Sequence, residues 1–100
     1  MSVFRAVSNN PPAAADFLSY RELEKPDRGK PCEAAALSVF VTESQCRHYM
    51  DKYPYIGTMV ATGALLPSDG KVGVPNDQNG HLSWWAFAGI DRHVKFSVLS

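Results

Sequence analysis

The sequence predicts an α+β fold: one domain over residues 1–100, a mixed or mostly antiparallel sheet of five or six strands, and two or three helices packed on one side. Three observations carry that expectation. Short runs with the two-residue alternation of a strand recur along the chain, one clear amphipathic helix lies between two of them, and clusters of proline, glycine and asparagine separate the runs. One hundred residues hold one domain. A chain of this size buries roughly 65% of the surface it exposes when unfolded, enough for a modest core without a metal or disulfide framework.

The first element is residues 2–7, where Val3, Arg5 and Val7 alternate with Phe4 and Ala6. An arginine among valines is either an edge residue whose stem reaches water or a charge aimed into a cleft. Asn9-Asn10-Pro11-Pro12 stops the strand, because proline supplies no N–H and turns its predecessor away from helix. Two short helical pieces are expected next. Asn10 and Pro11 suit an N-cap and first helical position for a piece running through the alanines to Leu18, and Ser19-Tyr20-Arg21-Glu22 has capping-box spacing for a second that ends before Pro26. Phe17 and Leu18 are the expected core anchors of these pieces. Residues 26–34, with two prolines, a glycine and several charges, read as a solvated loop.

Residues 37–41, Leu-Ser-Val-Phe-Val, are the most strand-like run, and a helix start follows at once, with Thr42 as N-cap and Gln45 as its capping-box partner. Cys46, Tyr49, Met50 and Tyr53 fall at i, i+3, i+4 and i+7, a stripe that faces the sheet. Arg47, His48, Asp51 and Lys52 take the other side, so His48 is expected in solvent and Cys46 in the core, and Pro54 ends the helix. Residues 56–65 read as a long strand with Ile56, Thr58, Val60 and Thr62 on one face. Gly57, Met59, Ala61 and Gly63 leave the other face nearly bare, where a packed helix is the ordinary occupant and a ligand the other. Pro67-Ser68-Asp69-Gly70 is a turn before a short strand at 71–74, residues 75–80 are a polar loop, residues 82–87 a strand, and Val94, Phe96 and Val98 mark the last strand after a turn at 89–92.

Ten basic residues balance ten acidic ones with neither sign concentrated, so the basic face that phosphate attraction requires is missing and no nucleic-acid partner is expected. No run approaches the ~20 apolar residues of a membrane span, and the first residues lack a charged start followed by an apolar stretch. No membrane partner is expected, and a bacterial-type cytoplasmic protein is the simplest inference. Cys32 and Cys46 read as free thiols. Without HxxxH or CxxC spacing, a phosphate loop of the Walker type or GxGxxG, neither metal nor cofactor is expected.

The strongest site candidate is Asn79-Gly80-His81-Leu82-Ser83-Trp84-Trp85-Ala86-Phe87. On an extended backbone its side chains alternate, so Trp84 lies with Leu82 and Ala86, and Trp85 with His81 and Ser83 on the opposite face. A buried indole also needs a partner for its ring N–H. The pair therefore reads either as Trp84 in the core with Trp85 capping a sheet edge, or as one ring at a second layer, a subunit interface or a ligand cleft with His81 at its rim. His81 and Ser83 share a face but stand about 7 Å apart on a strand, so they form no pair by themselves.

An early strand bearing Arg5, then Ser38-Val39-Phe40-Val41-Thr42 leading into a helix, then further strands, resembles the layout of ADP-ribosyltransferase-like folds. In that layout a basic or histidine residue on the first strand and a hydroxyl-bearing strand flank a nicotinamide cofactor. The family's late acidic residue is usually glutamate, and none follows Glu43 here. Asp16-Phe17-Leu18-Ser19, Leu37-Ser38-Val39-Phe40 and His81-Leu82-Ser83-Trp84-Trp85 also look like segments of small bacterial proteins to which no activity is attached. Two functions follow as expectations. The first is a binding or interaction module with a small-molecule or protein partner, or a homodimer, meeting it through or beside the aromatic corner of Trp84 and Trp85. The second is a small enzyme acting on a nucleotide or metabolite, with His81 as acid or base and Arg5 holding an anion, which requires Arg5, Ser38 and His81 to converge on one cavity.

Overall fold

The computed structural model describes residues 1–26 and 29–99. Six strands form one sheet: β1 Ser2–Val7, β2 Leu37–Phe40, β3 Met59–Ala64, β4 Gly70–Val72, β5 His81–Ala86 and β6 Phe96–Val98. Their order is β4-β5-β2-β1-β3-β6, and every neighbouring pair is antiparallel. The helices are α1 Pro31–Ala34 and α2 Glu43–Lys52, so the fold is the expected α+β class.

Strand alternation sorts the side chains into two clusters. Val3, Val7, Leu37, Val39, Ala61, Leu82 and Trp84 point to one face and are sealed by Phe17, Leu65 and Phe96. Each fully buried large side chain of this kind contributes roughly 1.5–3 kcal/mol. On the other face Ala6, Phe40 and Val60 meet Cys46 of α2, with Tyr49 and Met50 packed against them. That is the stripe expected of this helix, except that Tyr53 falls beyond its end and is exposed. Arg47, His48, Asp51 and Lys52 face solvent. Thr42 caps the helix by accepting from the Gln45 N–H at 3.2 Å, and its hydroxyl lies 2.9 Å from Gln45 Oε1. A cap of this type contributes about 1 kcal/mol.

Local structure departs from expectation where tertiary contacts dominate. The piece after Pro12 is a 3-10 turn at Ala14–Phe17, which buries Phe17 and leaves Leu18 half-buried. Ser19 and Glu22 do make the reciprocal bonds of a capping box, at 2.9 and 3.2 Å. Turns over residues 20–24 follow instead of a helix, and the Glu22 carboxylate is also held by Arg92 at 2.7 Å. Of the loop expected over 26–34, Asp27 and Arg28 lie outside the described residues, and Pro31–Ala34 forms the single turn α1, with Ala34 buried.

β3 begins at Met59, after a 3-10 turn at Pro54–Ile56. At Gly57 a Cβ would lie 2.7 Å from the Val7 backbone nitrogen, so only glycine lets the chain enter the sheet there. The bare face of β3 is occupied by protein: a Cβ on Gly63 would lie 2.6 Å from the Lys95 carbonyl, with the Phe96 ring beside it. β6 is correspondingly short, since Arg92–Lys95 coils as a 3-10 turn that leaves Val94 exposed.

One seam of the sheet is incomplete. β1 pairs with β3 at six successive residues but with β2 only at Phe4 and Phe40. From there the two strands diverge, and a cleft opens between them.

Candidate functional site

Arg5 occupies that divergence. Its strand is central in the sheet, so of the two roles open to an arginine among valines the edge role does not apply. The side chain crosses from β1 to β2, where Nη1 donates to the Ser38 carbonyl at 2.7 Å, and Nε donates to the Asp16 carbonyl at 3.0 Å. Its guanidinium lies 5.2 Å from the centre of the Phe17 ring. A side-chain donor thus stands where the shortened ladder supplies no backbone one. Burial pulls the Arg5 pKa down to about 10, with the Asp16 charge opposing. Among the described residues no carboxylate forms an ion pair with it.

Asp16 faces the other way. Its carboxylate accepts from the Ser8 and Ala13 N–H groups, each at 2.9 Å, and from the Asn9 side chain at 3.1 Å. Desolvation raises its pKa, but these donors outweigh it and hold the acid below the ordinary range. Asp16 therefore ties the 8–13 loop in place, and it meets Arg5 through its carbonyl oxygen in a hydrogen bond and through its carboxylate only as a nearby charge.

The cleft is a cavity of about 390 Å³ lined by Arg5, Ser38, Tyr20, Tyr49 and Tyr55 among others. A volume of that order suits a small metabolite. A neighbouring cavity of about 370 Å³ shares Tyr20, Lys25, Glu33 and Tyr55 with it and adds Lys30. Tyr55 is 73% exposed, so the aromatic wall is open to solvent.

Ser38 projects from β2 on the α2 side, between the buried Leu37 and Val39, and is exposed. Its hydroxyl lies 2.9 Å from His81 Nε2 on the adjacent β5. The His81 ring meets Phe40 edge-on, with centroids 5.6 Å apart, and Tyr49 at 6.5 Å. Desolvation lowers the His81 pKa and the Glu33 charge opposes it, which favours the neutral imidazole. Arg5 and Ser38 line the cleft together, but His81 does not line it and reaches it only through its contact with Ser38, so the expected convergence of all three on one cavity is met by two of them.

The remaining candidates are placed as the alternation implied. Trp84 has no exposed surface and its ring N–H reaches the Asp69 carbonyl at 3.3 Å. Trp85, half-buried on the opposite face, donates to the Cys32 carbonyl at 2.8 Å. Ser83 is the cross-strand partner of Ser38 and is half-buried. None of these three lines the cleft. The serine that meets His81 is Ser38, forty-three positions away, rather than Ser83.

The tyrosines were not legible as site residues. Tyr49 belongs to the helix stripe that reads as core, Tyr20 lies inside a capping-box motif, and Tyr55 follows a helix-ending proline. Cys32 is an exposed free thiol, and Cys46 is buried, which pushes its pKa up to about 11. Among the described residues no three of His, Cys, Asp and Glu cluster, and no helix is long and apolar enough to cross a membrane. No protein-family model, curated protein or solved structure matches the chain.

Proposed function

We propose that the protein binds a small anion bearing a planar ring, of the nucleotide class, in the cleft between β1 and β2. The observation that carries this reading is Arg5: a desolvated guanidinium held only by carbonyl oxygens, on the wall of a cavity, with no ion-pair partner among the described residues. The Asp16 charge offsets only part of the cost of desolvating it, and an anionic ligand in direct contact would supply the rest. Tyr20, Tyr49 and Tyr55 offer faces and edges against which a ring stacks. A homodimer or protein partner meeting the aromatic corner has less support, since Trp84 is buried and the Trp85 N–H is already taken.

The test is calorimetry against a panel of mononucleotides and dinucleotides, with Arg5→Met beside the wild type. Saturable binding that weakens at least tenfold in the variant is expected, and wild-type heats no different from buffer would remove the reading. A second reading, group transfer from a nicotinamide dinucleotide, is favoured by the contact between Arg5 on the first strand and the hydroxyl-bearing strand at Ser38, the two elements on which the family resemblance rests. The absence of a glutamate after Glu43 weighs against it. Release of nicotinamide from a bound dinucleotide would separate turnover from binding alone.

A further inference from the structure

We infer that Ser38 and His81 form a nucleophile and base that cleave a small carboxylic ester or thioester, whose anionic group sits at Arg5. Access of such a substrate rests on the binding reading above; the dyad itself rests on separate observations. The Ser38 hydroxyl and His81 Nε2 are within hydrogen-bond reach at 2.9 Å, and Ser38 is exposed on the cavity wall. A weak hydroxyl nucleophile needs an adjacent base whose ring is held in place. Phe40 and Tyr49 hold this ring from β2 and α2. The neutral imidazole favoured by burial is the form able to take a proton, and the Glu33 charge acts to stabilise the imidazolium once it forms. Arg5 lines the same cavity as Ser38 and bonds its backbone carbonyl, which leaves the guanidinium near the serine to hold the substrate's anionic group.

The step balances without a further cofactor. Ser38 Oγ bonds to the carbonyl carbon while its proton passes to His81 Nε2. The bond from carbon to the leaving oxygen or sulfur then breaks, and the leaving group takes that proton. Water attacks the acyl-serine, gives a proton to Nε2, and the departing Oγ recovers it, releasing the acid. The sequence places Ser38 and His81 among residues expected to come together, but their direct contact follows only from the register that sets Ser38 against Ser83.

The experiment treats the full chain with an alkyl fluorophosphonate and reads the intact mass and the modified peptide, beside turnover of the p-nitrophenyl monoester of succinic acid. Loss of fluoride and one phosphonyl group on Ser38 are expected. Labelling should vanish in Ser38→Ala, which keeps the backbone carbonyl bonded to Arg5, and fall about 100-fold in His81→Gln, the scale of general base catalysis. Absence of an adduct on Ser38 in the folded wild type, or equal labelling of His81→Gln, overturns the dyad. Nucleotide binding without any Ser38 adduct removes the dyad and leaves the binding reading standing. An adduct on Ser38 without nucleotide binding does the reverse.

Discussion

β1 meets its two neighbours in different ways. Against β3 it forms six consecutive pairs, Arg5 opposite Ala61 among them, and buries Val3, Ala6, Val7, Val60 and Ala61 along the seam. Against β2 it forms one pair, and a charged side chain does the bridging. The same strand thus builds a closed seam from backbone ladders and an open one from Arg5. The backbone ladder carries the first seam through Arg5 itself, whereas at the second the Arg5 side chain replaces the missing backbone pairs.

Breaking the closed side should produce the largest effect. Trp84→Ala removes a ring with no exposed surface from the core beneath the sheet and is expected to cost about 3–5 kcal/mol in denaturant unfolding. Gly63→Ala places a Cβ against the Lys95 carbonyl and the Phe96 ring, and should cost about 1–3 kcal/mol by overpacking. The unfolding midpoint in urea checks both.

At the open seam the contrast should invert. Arg5→Met loses two hydrogen bonds but also relieves a desolvated charge, so stability should move by less than about 1.5 kcal/mol. Amide exchange at Phe40, the residue that pairs with β1, should quicken more than at Ala61, which sharpens the difference between the two seams. Equal quickening on both sides would remove it.

The smallest effect is expected from the ion pair that anchors the cleft's outer loop. Arg92 donates to the Glu22 carboxylate and holds the pKa of Glu22 down to about 2. A depressed carboxylate stabilises the fold above its unfolded value and loses that contribution as the acid is protonated. Stability should therefore decline as pH falls from about 4.5 toward 2, and Glu22→Gln should flatten that part of the profile. Because Glu22 is partly exposed, solvent screening keeps the change modest.

Much of the site's parts list was legible in the chain, but its assembly was not. Arg5 stands out as a charge in a valine strand, and the segment from His81 to Trp85 as an unusual cluster of aromatic and polar groups. The weight placed on the tryptophans did not carry over to the cleft: one indole fills the core and the other is tethered to Cys32. The short segments around Ala14–Phe17 and Pro31–Ala34 were harder still to place, because one turn of backbone has little preference of its own and follows whatever it packs on.

What the sequence determined by itself were properties with a local physical cause. Alternation along an extended backbone sends Trp84 and Trp85 to opposite faces, and an N-cap followed by apolar residues at helical spacing defines α2 and its buried stripe. Only the tertiary structure decided that β1 and β2 part after one pair, that Arg5 crosses the gap, and that Ser38 meets His81. Strand order and register depend on contacts between residues tens of positions apart. No short stretch of chain contains the information that selects them.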